Sequence, residues 1–145
     1  MHSAVLAELH RRQVVRSANN PTGDYTEWLV STKLKLILAT QSAKGYDATD
    51  TAGLRYQIKG RRMPQLNGPV QLGVLRGLSE KSFDYLVAVA FTPSWEIRYA
   101  AKMPYEAVIR LGTFREHVNG HVMHLRPSIF QHPEVEDISD LLRQV

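Results

Sequence analysis

The chain reads as a mixed α/β protein, and three observations carry that reading. Residues 84–91 (DYLVAVAF) form a near-continuous apolar run, the mark of a central strand buried on both faces. Helical patterns over residues 3–16, 25–38 and 133–145 bracket the strand signals instead of alternating with them. Asn119-Gly120, set between His117-Val118 and His121-Val122, is a two-residue hairpin signal. The resulting order is α, α, β, β, β, β, α, β-hairpin, α, which suits a mixed central sheet flanked by helices and not an alternating doubly wound sheet.

Each element has a local reason. Residues 3–16 place Val5, Leu6 and Leu9 on one side of an N-terminal helix, within a unit spanning 1–18. Asn19-Asn20-Pro21-Thr22-Gly23 is rich in turn formers and reads as a loop that opens the core, residues 20–125. Over 25–38, Tyr25, Trp28, Leu29 and Leu36 form one stripe and Val30, Leu34 and Ile37 another, so this helix is expected to pack deep against a sheet. Residues 45–48 and 54–60 read as strands around a turn. Two prolines and several glycine or asparagine residues make 63–73 a predicted loop. Residues 96–102 read as a strand, and Pro104 is placed to open a short helix over 105–109. An acidic-fronted helix over 133–145 closes the chain, in keeping with the helix dipole.

At 145 residues the expectation is one domain with a core of its own. The 43% hydrophobic content fits a globular protein and not a disordered one. The chain has no cysteine, which excludes disulfides, thiolate zinc sites and cysteine nucleophiles and makes the cytoplasm the simplest home. Residues 1–16 lack a long apolar core and carry Arg11, Arg12 and Arg16, which fits neither a secretory signal nor a membrane span. Net charge is +4, distributed as −3 over the last twelve residues and +7 over the rest. A basic body suits a polyanionic partner such as DNA, although ordinary solubility charge gives the same sum.

The chemistry-bearing stretch is Gly45-Tyr46-Asp47, followed ten residues on by Tyr56-Gln57-Ile58-Lys59. Side chains alternate across a strand, so Gln57 and Lys59 share one face while Tyr56 and Ile58 share the other. Hydrolysing a phosphodiester requires an activated water and neutralisation of charge at phosphorus, and Mg²⁺ held by oxygen ligands can supply both. Asp47 would be the charged ligand, Gln57 would offer its side-chain oxygen, and Ile58 its backbone carbonyl. Lys59 would lie at the scissile phosphate, orienting water or stabilising negative charge. Arg55 and Arg61 share the face of Gln57 and Lys59, so with Arg62 and Lys44 they are candidate nucleic-acid contacts.

This pattern resembles the PD-(D/E)xK nuclease superfamily, the fold of many restriction enzymes and of Holliday-junction resolvases. It is most similar to branches with glutamine as the middle residue, as in Mrr-like restriction nucleases. Gly23-Asp24-Tyr25-Thr26-Glu27-Trp28 also resembles the first-helix motif of small prokaryotic members, where a glutamate helps bind metal; the resemblance gives that role to Glu27. It implies a restriction-endonuclease-like domain that cuts DNA with Mg²⁺ or Mn²⁺, in restriction, defence or DNA processing. A homodimer would then match the symmetry of a duplex. Two departures stand out: Tyr46 replaces the motif proline, and Gln57 replaces an acid and so removes one negative charge.

Each residue also has a plainer reading. Asp24 and Glu27 fit a helix capping box. Asp47 fits a turn acid; in the metal-site reading Asp50 would take its place if the strand ends later. Gln57 and Lys59 fit an exposed strand face. His117, His121 and His124 suggest zinc, but the hairpin register puts them on different faces. The rival functions are a catalytically weak or inactive nucleic-acid-binding module of the same fold and a structural subunit that lends a sheet edge to a partner.

Overall fold

The computed structural model describes residues 7–8, 11–12, 21–40, 45–65 and 68–144. In chain order its elements are α1 (Pro21–Leu34), β1 (Ile37–Leu38), β2 (Ala48–Thr49), β3 (Arg55–Arg62), β4 (Val70–Leu75), β5 (Tyr85–Phe91), β6 (Ile97–Pro104), α2 (Tyr105–Leu111), β7 (Thr113–Arg115), β8 (Gly120–Leu125), β9 (Glu136–Asp137) and α3 (Ser139–Arg143). The protein is mixed α/β, as the sequence predicts. A six-stranded sheet has the order β1-β2-β3-β5-β6-β9, and a three-stranded sheet has the order β4-β8-β7. β3 and β5 run parallel, and every other neighbouring pair is antiparallel.

β5 sets the layers. Its alternate side chains Val87, Val89 and Phe91 pack on one face with Leu29 and Val30 of α1 and Leu142 of α3. Leu86, Ala88 and Ala90 pack on the other face with Leu72 of β4, Met123 and Leu125 of β8 and Val108 of α2. The strand is therefore buried from both sides, which is why its sequence is apolar without alternation.

α1 lies close on β3 because β3 has no side chain at Gly60. A Cβ there would sit 2.0 Å from Thr26 Oγ1 and 2.8 Å from Thr26 Cβ, inside any tolerable contact. Thr26 is fully buried, and its hydroxyl is turned back onto the Thr22 carbonyl at 2.6 Å.

Several predicted boundaries move. α1 starts at Pro21, inside the predicted loop, because proline suits a first helical turn whose N–H groups have no intrahelical partner. It stops at Leu34 and not at residue 38. Lys35 adopts a left-handed conformation (φ 59°), and the Leu36 N–H bonds back to the Ser31 carbonyl at 2.8 Å, a Schellman ending. Ile37 accordingly leaves the predicted helical stripe for an edge strand, where it is 67% exposed. The predicted 63–73 loop contains most of β4, which buries Val70 and Leu72 and bulges at Gly73 (φ 91°).

The hairpin near Asn119 forms with a longer connection than a two-residue turn. Residues Glu116–Val118 make a 3-10 turn, Asn119 is left-handed, and the register pairs Arg115 with Gly120 and Thr113 with Val122. The predicted C-terminal helix shrinks to α3. Glu136 and Asp137 instead pair with β6, and the Asp137 carboxylate accepts from the Ser139 N–H at 3.0 Å, so the helix begins only there. Most of the predicted N-terminal helix lies outside the described residues. Among the described residues no helix is long and apolar enough to cross a membrane.

Candidate active site

β2 pairs with only the first residues of β3, Thr49 with Arg55 and Ala48 with Tyr56. Asp47 stands where the two strands part. Its own backbone is fixed on both sides: its N–H donates to the Tyr56 carbonyl at 2.7 Å, and its carbonyl accepts from Ala39 at 2.8 Å. The Asp47 side chain then takes over from the ladder. Oδ2 accepts from the Ile58 N–H at 2.7 Å and from the Gln57 amide at 3.1 Å. Beyond that point, among the described residues, β3 is paired only with β5.

A cleft of about 220 Å³ opens along β3. β3 contributes Gln57, Ile58, Lys59 and Arg61, the strand fork contributes Asp47, and α1 contributes Asp24 and Glu27. Five of the side chains proposed from sequence (Asp47, Gln57, Lys59, Glu27 and Arg61) thus line one space, together with Ile58. The N–H and C=O of a strand residue face the same edge, so the Ile58 carbonyl faces the opening as well.

The electrostatics follow from partial burial. Desolvation pushes the Asp47 carboxyl above the usual carboxylate range, against the opposing pull of the Ile58 N–H and the Lys59 charge. Desolvation also pulls Lys59 below the usual lysine range. The charges of Asp47 and Glu27 oppose that shift, while Arg61 and Arg76 add to it. Arg61 lies against the bare backbone of Gly73, where a Cβ would meet its guanidinium at 2.4 Å. Among the described residues, no three of His, Asp and Glu converge tightly enough to hold a metal by themselves. A cation here would need the mixed oxygen set of Asp47, Glu27, the Gln57 amide and the Ile58 carbonyl.

Other sequence candidates lie elsewhere. Arg55 is at the opposite end of β3. Its N–H donates to Asp84 at 2.8 Å, and its guanidinium reaches Asp84 at 3.4 Å and the Lys81 carbonyl at 3.1 Å. Arg62 donates to the Pro93 carbonyl at 2.8 Å and stacks over Trp95. Lys44 lies outside the described residues. Asp50 is a turn acid that accepts from the Ala52 and Leu54 N–H groups and from the Tyr56 hydroxyl, so it does not substitute for Asp47.

The capping-box reading of Asp24 and Glu27 fails on position. Both residues lie inside α1, three apart, and line the cleft. The Asp24 side of the cleft and the influence of Arg76 are what sequence reasoning missed. The i, i+3 spacing of Asp24 and Glu27 was the available signal for the first. The second had none, because Arg76 follows a strand that reads as loop. The three histidines do not gather: His117 sits in the 3-10 turn, and His121 and His124 lie along β8. A comparison with protein-family models and with curated proteins finds no match to this chain.

Proposed function

We propose that this protein is a metal-dependent DNA endonuclease of the PD-(D/E)xK type. One observation carries the reading: Asp47, Gln57, Ile58 and Lys59 line a single cleft together with Glu27 from the first helix of the core. The strand bearing Gln57 and Lys59 also lies beside a parallel partner, β5, that is buried from Leu86 to Phe91.

The donor set fits a hard divalent cation. Asp47, Glu27, the Gln57 side-chain oxygen and the Ile58 carbonyl are all oxygen donors, and both hydrogen bonds to Asp47 use the same oxygen, Oδ2. Mg²⁺ or Mn²⁺ bound there would supply an activated water and neutralise charge at the phosphate. The chain's own residues do the rest. The Ile58 N–H and the Gln57 amide hold the Asp47 carboxylate in one rotamer. Lys59, half-buried, would place its ammonium against the phosphoryl oxygens, where a lowered local dielectric strengthens the attraction. Arg61 offers a guanidinium to a neighbouring phosphate. One such site cuts one strand at a time, so severing a duplex would take two copies about a two-fold axis.

The amide of Gln57 also favours a second reading. It satisfies Asp47 without any cation, as a module that holds DNA without cutting would require. Supercoiled plasmid incubated with pure protein in Mg²⁺, Mn²⁺ or EDTA separates the two. The nuclease nicks in either metal and not in EDTA. Salt-dependent DNA binding with no nicking in any metal replaces it with the binding module.

A further inference from the structure

A second hollow, of about 310 Å³, opens beside the β7–β8 hairpin. β4 links it to the cleft: Leu72 lines the cleft, and Arg76, just past the end of the strand, lines the hollow. The charge of Arg76 also acts on Lys59. Gly120 lets the hairpin close on this arginine. A Cβ at that position would sit 2.3 Å from Val74 Cγ1 and 3.2 Å from Arg76 Cγ.

The hollow also holds an aromatic side chain that the core does not use. Phe114 is 54% exposed, on a strand whose three residues are all exposed. Its ring meets His121, its cross-strand partner, at 5.3 Å between centroids and a steep angle of 63°. Much of the phenyl surface is therefore bare. A guanidinium, an imidazole and Asn119 stand around it.

An exposed ring beside hydrogen-bond donors and a cation is the chemistry that receives a nucleobase. Stacking needs an uncovered base face, and inside a duplex both faces are covered by neighbouring base pairs. The occupant that fits is thus a base out of the helix. We propose that this hollow is a subsite for an unpaired base of the strand being cut, so that the substrate is single-stranded DNA or the single-stranded part of a frayed or branched DNA. This inference rests on the nuclease reading of the adjoining cleft.

The test is fluorescence anisotropy with the full chain in EDTA, using labelled oligo-dT and a blunt duplex of equal length. The expected result is that Phe114→Ala weakens oligo-dT binding about tenfold or more, a loss typical of removing one base stack, while duplex binding barely changes. Phe114→Trp should restore it, and Arg76→Ala should weaken it as well. Unchanged oligo-dT binding by Phe114→Ala overturns the subsite. So does an equal loss on both DNAs, and so does a shift from dimer to monomer in light scattering with oligo-dT binding intact, which would make Phe114 a contact between copies. Because EDTA removes metal-dependent cutting, the two proposals fail separately. Selective oligo-dT binding with no cutting of plasmid or of oligo-dT in Mg²⁺ or Mn²⁺ upholds the hollow as a base-binding site and overturns the nuclease. Nicking with no loss of oligo-dT binding in Phe114→Ala does the reverse.

Discussion

Asp47 is an acid held where its charge is disfavoured. Its carboxyl titrates above the usual value near 3.8 because burial outweighs the Ile58 N–H and Lys59. The folded state therefore holds this proton more tightly than the unfolded chain does. The stability that follows is present below the unfolded pKa and is lost as pH rises through the folded one. Lys59 has the opposite sign: its depressed pKa gives stability at high pH that is lost as pH falls through the folded value. Asp47→Asn removes the first dependence. Without metal, the melting temperature of the variant minus that of wild type should grow as pH rises from about 4 towards neutral; a flat difference contradicts the electrostatics described here. Gln57→Glu acts on the same contact. It exchanges a donor for a second carboxylate and loses a hydrogen bond to a charged group, worth about 1.5–3 kcal/mol. The variant should melt lower than wild type in EDTA and regain more of that loss in Mg²⁺ or Mn²⁺ than wild type gains; equal metal responses argue against a cation between residues 47 and 57. Gln57 and Lys59 were legible in sequence as one face because strand alternation is a strict period of two, whereas Asp47, outside both strands, was legible only by its spacing from them. Asp24 was hidden by a helix start placed four residues too late.

The seating of α1 on β3 depends on a missing side chain. Gly60→Ala puts a methyl group into Thr26, which is buried and branched and cannot swing away. Overpacking of this kind costs about 1–3 kcal/mol. It should also lift α1 and with it Glu27, so nicking should fall about tenfold or more, since small misplacements of catalytic groups are expensive. Calorimetry and nicking on the same preparation check both, and a variant with wild-type melting and wild-type activity refutes the close packing. Elements were legible where burial alone decides them. β5 matches its prediction within a residue because both of its faces are covered. Elements decided by single hydrogen bonds or by distant pairing were not. Lys35 ends α1 through its left-handed backbone, Asp137 delays α3 by accepting from Ser139, and β4 exists because Gln71 finds His124 more than fifty residues away. The hairpin register slipped because Glu116–Val118 wind into a 3-10 turn that the Asn-Gly signal does not anticipate.

Across the whole molecule, the charge imbalance of the sequence acquires a direction. The acidic stretch near the C-terminus is fastened at one edge of the large sheet, with Glu136 and Asp137 in β9 and Glu134 paired with Arg110. The candidate cleft lies towards the other edge, where β2 leaves β3. Most of the acidic tail's charge thus stands a sheet's width from the cleft, whose own lining sets Asp24, Glu27 and Asp47 against Lys59 and Arg61. Cutting, and not only capture, is what assigns the cleft its role. Nicking of supercoiled plasmid in Mn²⁺ or Mg²⁺ by wild type, Asp47→Ala and Lys59→Ala, purified side by side, decides it. Metal-dependent nicking by wild type that drops about 100-fold or more in both variants is the expected result, a loss typical of removing a catalytic group. Equal nicking by all three proteins would place the chemistry outside the fork between β2 and β3 and contradict the assignment.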